Sequence, residues 1–501
     1  MSEKTLAESA EVGTLAEPEH PSSSKRWWIL AVIAVAQLMV VLDATIVNIA
    51  LPSAQKDLGF SDGNRQWIVT AYALAFASLL LLGGRIADLF GRKTAFLIGV
   101  AGFAAVSALG GAANSFGMLV TARALQGVFG ALLAPAALSL LNTTFTDAKE
   151  RAKAFSVYGA IAGAGGAVGL LLGGILTDAF DWRSTLFVNV VIAVVAFVGG
   201  WILLTNHRDA ANGKLDMPGT VLVAAGLFAL VYGFSNAETH DWGSALTWGF
   251  LIAGGALLAA FAWWQTKATH PLLPLRILLD RNRAASFVAV LISAGGMFGV
   301  FLFLTYYLQL NLGFSPTKTG VAFLPMVAAL MVASQIGTTV VLPRIGPKAV
   351  VPLGFAVAAA GMAWLTGIGI GSSYVSDVLP QLIVTGAGLG LVMPAAMQLA
   401  TSGVAAEDAG VASATVNAMQ QVGGSIGTAL LNTLAASAAT NYLSGRDATS
   451  KLVQAQATIE SYTTAFWWSA GLFAGGAVIA FLLYRRGVPE QDADAAPVIH
   501  M

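Results

Sequence analysis

Two ionisable side chains, Asp43 and Arg123, lie well inside long apolar stretches of the sequence. Asp43 lies about 24 Å from Trp27 if the stretch is helical, since a helix rises about 1.5 Å per residue. The stretch around Arg123 begins near Ser115, so both charges lie at similar depth, in the outer halves of two predicted helices. Charges at membrane depth are costly and nearly always face the protein interior or a water-filled cavity. Asp43 and Arg123 therefore form a candidate site.

The chemistry that this pair predicts is proton transfer. Burial disfavours a charged carboxylate and a nearby arginine favours it, so a moving partner or an incoming substrate can switch its protonation. Thr45 and Asn48 on the same predicted helix are expected to supply hydrogen bonds to the site. Gln126, one turn from Arg123, is expected to do the same. The alternative is a fixed Asp43–Arg123 ion pair that locks two helices together.

No histidine competes with Asp43 as a proton carrier at membrane depth. All five histidines lie in predicted tails or loops: His20, His207, His240, His270 and His500. If transport is coupled to protons, Asp43 is therefore the expected carrier.

Composition places the chain in a membrane. Of its 501 residues, 56% are hydrophobic and only 10% are charged, whereas soluble proteins carry roughly 25% charged residues. The formal net charge is zero, which gives no basic surface for nucleic acid. There are no cysteines, so disulfides and thiol chemistry are excluded. The sequence contains no phosphate-binding G-x-x-x-x-G-K-[ST] loop and no metal-ligand or catalytic-triad pattern, so we predict neither an enzyme nor a cofactor or metal site.

The apolar stretches predict an all-α integral membrane protein with 14 transmembrane helices, because about 20 mostly apolar residues are needed for each crossing. The predicted spans are residues 27–51, 66–84, 94–113, 116–141, 154–177, 184–204, 218–236, 244–265, 284–310, 317–342, 350–370, 376–400, 411–435 and 462–484. Most of the 26 lysines and arginines fall in loops on the side of the two termini. The positive-inside rule therefore predicts that both termini lie on the cytoplasmic side of the membrane. We expect this membrane to be a bacterial plasma membrane.

Two parts of the chain resemble each other. The run that begins at Gly127 matches the run at Gly386, and Pro135 matches Pro394 at the same offset. These matches predict two six-helix bundles with two inserted helices, and such repeats are typical of secondary transporters. The predicted parts are a disordered cytoplasmic tail (1–26), an N-terminal bundle (27–204), two linker helices with their loops (205–283), a C-terminal bundle (284–484) and a second cytoplasmic tail (485–501).

Several motifs together carry a family resemblance. The first span contains LDATIVNIALP (42–52), and the fourth contains RALQGVFGALLAP (123–135). The second loop contains the motif G-x-x-x-D-x-x-G-R-K, formed by Gly84, Asp88, Gly91, Arg92 and Lys93. The fifth span carries closely spaced glycines: Gly159, Gly163, Gly165, Gly169, Gly173 and Gly174. With DWRSTLFVNV (181–190) and NAMQQVGGSIG (417–427), these motifs resemble the fourteen-span drug:proton antiporters of the major facilitator superfamily over nearly the whole chain.

The resemblance implies roles for these motifs. Arg123 would be linked to proton transfer, and the second-loop motif would be a conformational latch that opens and closes with alternating access. Transport would be driven by the proton gradient. The glycines of the fifth span let helices approach closely, and the family associates this helix with antiport. The proline that usually stands near the position of Leu170 is absent, which weakens the motif as a sign of export.

The predicted function is proton-coupled export of amphipathic drugs or antibiotic-like metabolites, neutral or cationic, from the cytoplasm. The partners would be the small-molecule substrate, protons and the lipid bilayer, without nucleic acid. Polar and aromatic groups are expected to line the substrate cavity: Gln37, Asn48, Gln126, Tyr306, Tyr307, Gln335, Gln381, Asn417 and Gln420. One alternative is proton-coupled import of a nutrient or siderophore. Another is a membrane receptor or scaffold that transports nothing.

Overall fold

The computed structural model describes residues 23–61, 63–145, 147–205, 216–240, 242–269, 271–404, 409–447 and 449–487, and these residues form helices and connections without any strand. The first six helices are α1 (Ser23–Leu58), α2 (Gln66–Phe90), α3 (Arg92–Gly111), α4 (Phe116–Thr144), α5 (Ala148–Ala179) and α6 (Ser184–Leu203). The next three are α7 (Met217–His240), α8 (Ala245–Gln265) and the short α9 (Leu275–Leu279). The remaining helices are α10 (Arg281–Tyr306), α11 (Pro316–Ile336), α12 (Leu342–Ile345), α13 (Pro347–Leu365), α14 (Tyr374–Asp377), α15 (Leu379–Thr401), α16 (Ala409–Leu443) and α17 (Lys451–Leu483).

Two π-helical segments lie among the C-terminal helices. Tyr307–Asn311 continues α10, and Gly337–Val341 joins α11 to α12. Two tight turns depend on glycine, because Gly91 between α2 and α3 has φ +96° and Gly346 between α12 and α13 has φ +75°. Residues other than glycine rarely adopt such positive φ angles.

Within the described residues, 11 helices are long and apolar enough to cross a membrane. Each of the predicted spans coincides for most of its length with one long helix, although the span predicted to end at residue 370 runs past α13, which ends at Leu365. The helices α2, α5 and α16 are not among these 11. On α2 and α5 the apolar stretches are shorter, Gln66–Leu80 and Gly165–Ala179. The count of fourteen spans therefore stays a prediction.

The two ends of α16 and α17 that are joined by their connection extend beyond the predicted spans. The prediction ends the first at residue 435 and begins the second at 462, whereas the helices run to Leu443 and from Lys451. These extensions are rich in alanine, glutamine and other good helix formers, which continue a helix into a polar environment.

The first six helices and the last long helices pack in the same pattern. In the first set, α1 packs against α5 and α6, α4 against α2 and α3, and α3 against α6. In the second set, α10 packs against α16 and α17, α15 against α11 and α13, and α13 against α17. Each of these contacts in one set thus has a counterpart in the other.

The matching runs of sequence have the same packing role in both sets. A Cβ atom added at Gly127 would lie 2.3 Å from the carbonyl oxygen of Tyr72 on α2. A Cβ atom added at Gly386 would lie 2.3 Å from the carbonyl oxygen of Met326 on α11. Glycine at these positions therefore permits the close approach of neighbouring backbones.

The glycines of α5 bring this helix close to α1 and α11. Cβ atoms added at Gly165, Gly169 and Gly173 would collide with the α1 residues Val41, Thr45 and Ile46, respectively. A Cβ atom at Gly174 would lie 2.5 Å from the carbonyl oxygen of Pro316 at the start of α11. Gly159 and Gly163 also lie on α5, and their surroundings fall outside the described side chains.

The inserted pair α7 and α8 packs mainly against itself, and α7 also contacts α2 and α16. Asn236 on α7 donates a hydrogen bond of 2.9 Å to Thr247 Oγ1 on α8, and both side chains are buried. The hairpin therefore covers the place where α2 of the first set meets α16 of the second.

Candidate functional site

Asp43 and Arg123 are in direct contact inside the first six helices. Their side chains are fully buried, with residue exposures of 0% and 1%. Arg123 Nη1 donates to Asp43 Oδ2 over 2.6 Å, so α1 and α4 are joined by a buried ion pair. The structure thus brings together the two charges that the sequence singles out.

Two neutral side chains complete the hydrogen bonding of the Asp43 carboxylate. Gln126 Nε2 donates to Asp43 Oδ1 at 2.9 Å, and Asn189 Nδ2 on α6 donates to the same oxygen at 2.8 Å. Gln126 Nε2 also donates to Ser107 Oγ on α3 at 2.8 Å. Hydrogen bonds to the ionised form stabilise a carboxylate that burial alone would disfavour.

Contacts with α2 and with Gln126 on α4 position the guanidinium of Arg123. Nε donates to the carbonyl oxygen of Ile68 at 3.0 Å, and Nη1 donates to Gln126 Oε1 at 2.9 Å. The ring of Tyr72 lies 4.5 Å from the guanidinium carbon, which is a cation–π distance. These contacts offset part of the desolvation of two buried charges.

Thr45 and Asn48 on α1 do not form the predicted hydrogen bonds to Asp43 or Arg123. Thr45 Oγ1 donates to the carbonyls of Val41 and Leu42, both at 3.1 Å, and Asn48 Nδ2 donates to the carbonyl of Ala44 at 3.3 Å. In an apolar helix the carbonyls of the preceding turn are the nearest acceptors for such side chains. The expectation that Thr45 and Asn48 supply hydrogen bonds to the site was therefore wrong.

Sequence reasoning missed Asn189 and Ser107. Asn189 lies in DWRSTLFVNV, and both residues are neutral polar groups within otherwise apolar helices. Both are fully buried. A signal was present, because a buried amide in a membrane helix needs a hydrogen-bond partner. The partners of Asn189 and Ser107 cannot be predicted from the sequence, because they depend on how α1, α3, α4 and α6 are rotated against one another.

The second-loop motif lies at the junction of α2 and α3. Lys93 Nζ donates to the carbonyl oxygens of Trp201 and Leu204 at 2.8 and 2.7 Å, which ties the start of α3 to the end of α6. A Cβ atom added at Gly84 would lie 3.4 Å from Cβ of Pro135. The contacts of Asp88 in this motif fall outside the described residues, because its side chain is not described.

Of the residues predicted to line a substrate cavity, some lie in contacts between helices. Gln37 is half-buried and accepts a 2.6 Å hydrogen bond from the hydroxyl of Tyr158. Tyr306 and Tyr307 are fully buried at the outer end of α10, and the hydroxyl of Tyr307 donates to the carbonyl of Gly369 at 3.0 Å.

The other predicted lining residues lie on the last long helices. Gln335 and Asn417 are exposed, Gln420 is half-buried, and Gln381 is 3% exposed with its Oε1 unpaired. The described hydrogen bonds join only Gln126, among all the predicted lining residues, to Asp43. Gln126 was predicted both to bond to the charged site and to line the cavity, and the structure places it at the ion pair.

Arg65 is a buried charge that the sequence assigned to an outer loop. It is 5% exposed, its guanidinium carbon lies 4.4 Å from the ring centroid of Tyr306 and 5.2 Å from that of Phe303, and its Nε donates to Asn432 Oδ1 at 3.2 Å. Hydropathy missed it because its partners lie on α10 and α16, far away in the sequence. Arg65 therefore joins the first set of helices to the second.

Three more contacts join the two sets of helices. The hydroxyl of Tyr306 donates to Gln55 Oε1, and Gln309 Nε2 donates to the carbonyl of Ile49 at 3.0 Å. The backbone N–H of Thr317 donates to Asp178 Oδ2 at 2.8 Å. We call these contacts, together with those of Arg65, the outer contacts, because they lie at the helix ends opposite the chain termini.

A small cavity lies between Arg123 and the outer ends of the first helices. Its walls include Ile68, Leu119, Arg123, Trp182 and Thr185. About 10 Å³ is open to the centre of a water molecule, which is room for about one water. Within the described residues, no group of three or more metal-ligating side chains is placed to hold an ion.

Comparison with known proteins identifies the family. The model of the Major Facilitator Superfamily matches residues 33–428. The chain belongs to the Major Facilitator Superfamily, whose members are transporters rather than enzymes, and it is a multi-pass protein of the bacterial plasma membrane. The resemblance found from the sequence motifs is confirmed.

Its relatives include antibiotic resistance and export proteins. The puromycin resistance protein pur8 of Streptomyces alboniger is 49% identical over 470 residues, covering 93% of each chain. The tetracenomycin C resistance and export protein of Streptomyces glaucescens is 38% identical and covers 83% of this chain and 78% of the relative. The cephamycin export protein CmcT of Amycolatopsis lactamdurans is 37% identical and covers 81% of this chain and 85% of the relative.

A solved structure supports the fold. A bacterial homologue of the human lysosomal transporter Spinster, inward-facing and unoccupied, matches with a TM-score of 0.65 over 92% of this chain and 97% of that chain. Sequence identity is 16%, so this likeness concerns the fold alone.

Proposed function

We propose that this chain is a proton-coupled exporter that carries amphipathic antibiotics or antibiotic-like metabolites, neutral or cationic, out of the cytoplasm by alternating access. The observation that carries the proposal is the buried Asp43–Arg123 pair. It lies in a superfamily member that is similar over most of its length to resistance and export proteins. The transport is driven by the proton gradient and needs no cofactor.

The charge balance of the pair supplies the coupling. When a proton from outside neutralises Asp43, Arg123 is left as a buried cation without a counter-ion, which costs roughly 3–5 kcal/mol. The helices that hold Arg123 then favour a different arrangement. In the proposed cycle, protonation accompanies substrate release to the outside and the return to an inward-facing state.

The proposed architecture has fourteen spans, two six-helix bundles and both termini in the cytoplasm. The matching contacts of α1–α6 and α10–α17 support the bundles, and the distribution of lysine and arginine supports the orientation. The substrate passes between the bundles, and the second-loop motif and the glycines of α5 take part in the conformational change.

The test is transport into everted membrane vesicles that contain the full chain. Puromycin, tetracenomycin C and a cephamycin are the probes, because the relatives named above suggest them. We expect uptake that collapses when a protonophore is added. The Asp43→Asn variant should reach the membrane and lose this uptake. Asp447→Asn is the matched control, because Asp447 is an exposed acid in the connection between α16 and α17.

Three outcomes oppose the proposal in different ways. Full gradient-driven uptake by Asp43→Asn would exclude Asp43 as the proton carrier. Protonophore-sensitive accumulation in intact cells would support the alternative of proton-coupled import. No transport of any probe in either direction would favour a receptor or scaffold.

A further inference from the structure

Asn189 presents one half of its amide to Asp43 and leaves the other half unused. Its Nδ2 donates to Asp43 Oδ1 at 2.8 Å. Its Oδ1 is buried and has no hydrogen-bond partner. A buried polar atom without a partner is rare and costly in a folded protein, so it requires an explanation.

The protonated state of Asp43 supplies that explanation. An ionised carboxylate only accepts hydrogen bonds, whereas a protonated carboxyl group also donates one and needs an acceptor. Arg123 has no acceptor atom, and Gln126 Oε1 already accepts from Arg123 Nη1. Of the three groups that bind the carboxylate, only Asn189 has a free acceptor.

We propose that Asn189 is a positioning residue that serves both protonation states of Asp43. This inference rests on the proposed role of Asp43 as proton carrier. With Asp43 ionised, Asn189 Nδ2 donates to Oδ1. When a proton from the aqueous phase forms an O–H bond at Oδ1, a half-turn of the amide exchanges Nδ2 and Oδ1. The amide oxygen then accepts the new hydrogen bond, and no other covalent bond forms or breaks.

The other groups around this carboxylate do not offer the same exchange. In the described part of the chain, the charged and titratable groups that face Asp43 are Arg123 on α4 and the phenol of Tyr72 on α2. Helices α5, α10 and α11 bring no described charged side chain within hydrogen-bonding distance of it. The hydroxyl of Tyr72 is also buried without a partner, so it is the competing acceptor that the experiment must separate from Asn189.

The experiment is a titration of Asp43 in the purified full-length chain by infrared difference spectroscopy. The signal is the C=O stretch of the protonated carboxyl group, identified by its absence in Asp43→Asn. Asn189→Leu removes both the donor and the acceptor at similar volume. Because hydrogen bonds to charged groups are about twice as strong as neutral ones, the ionised form loses more. We expect the midpoint of the titration to move upward by about one pH unit, a roughly tenfold change in proton affinity.

Two further variants separate positioning from packing. Asn189→Gln keeps an amide and should return the midpoint toward that of the parent chain. Asn236→Leu is the matched control, because it removes another buried asparagine, on α7, and should leave the midpoint unchanged. Asn189→Ala replaces Asn189→Leu if the larger side chain prevents folding.

The outcomes distinguish this inference from the proposed function. A midpoint for Asn189→Leu within about 0.3 pH unit of the parent chain would overturn the role of Asn189 while leaving Asp43 as a carrier. A downward shift of the midpoint in Tyr72→Phe would assign the acceptor to Tyr72 instead, because loss of the acceptor destabilises the protonated carboxyl group. No Asp43 signal at any pH in the parent chain would remove the proton carrier itself, and the proposed function with it.

Discussion

Arg65 is predicted to hold the outer ends of the two helix sets together. Its guanidinium stacks on Tyr306 and Phe303 and its Nε bonds to Asn432, all on the second set. Each desolvated cation–π contact contributes roughly 1 kcal/mol, and the hydrogen bond contributes about 1 kcal/mol net. Replacing Arg65 by methionine keeps much of the apolar stem and removes about 2–3 kcal/mol. The closed state of the outer ends should therefore lose roughly 30- to 150-fold in population relative to the open state.

The measurement uses the absence of cysteine from the sequence. Cysteines introduced at Ser61 and Ser373 are the only thiols in the chain, and both positions are exposed near the outer ends of the two sets. Spin labels at these positions report the separation of the outer ends through electron–electron distance measurements. We expect Arg65→Met to transfer much of the population to longer distances at fixed pH and without substrate.

A matched arginine provides the control for this experiment. Arg446 lies in the connection after α16 and stacks on Tyr442 near the end of that helix, with the guanidinium carbon of Arg446 3.9 Å from the ring centroid of Tyr442. Both residues belong to the second set. Arg446→Met removes a similar contact that joins nothing across the interface, so its distance distribution should match that of the parent chain. If Arg65→Met gives the same distribution as Arg446→Met, Arg65 does not hold the outer ends closed.

Two further predictions concern stability. Gly127→Ala and Gly386→Ala should each destabilise the protein by about 1–3 kcal/mol, because the new Cβ would lie 2.3 Å from a backbone oxygen. The measurement is thermal unfolding, and the control is Gly475→Ala, whose new Cβ would meet nothing within 4 Å and should not destabilise the protein. Equal effects of the three substitutions would contradict this account. Burial alone would raise the pKa of Asp216 before α7, but hydrogen bonds from Gln265, Gly219 and Trp264 hold it below its ordinary value. Asp216 therefore contributes stability above its unfolded pKa of about 3.9 that is lost as pH falls through the lower folded value. Asp216→Asn should flatten the acid limb of a plot of Tm against pH, and an unchanged limb would exclude this contribution.

The sequence was sufficient for the parts of the site that break a strong rule. Asp43 and Arg123 stand out because charges are rare within apolar stretches, and their depth follows from counting residues along helices. Most helix positions follow from hydropathy for the same reason. The packing of Gly127 and Gly386 could also be anticipated, because repeated small residues indicate close helix contacts.

The sequence was insufficient where the outcome depends on helix rotation or distant contacts. Asn189 and Asn48 are both buried asparagines in apolar helices, but the amide of Asn189 donates to Asp43 and that of Asn48 donates to the backbone of its own helix. Arg65 is buried by α10 and α16, whose approach to α2 is not encoded near position 65. The exposure of Gln335 and Asn417 likewise depends on which face of α11 and α16 meets a neighbour.

The first turn of α2 connects the buried charge pair to the outer contacts. Arg123 Nε bonds to the carbonyl of Ile68, and Arg65 immediately precedes the same turn. Ile68 and Arg65 are thus joined by less than one helical turn of backbone, which is stiff along its axis. In the proposed cycle, a change in the charge of Asp43 that moves Arg123 would act on Ile68 and, through this turn, on Arg65, which joins the two helix sets. The buried charge pair and the outer contacts therefore share one short segment of chain.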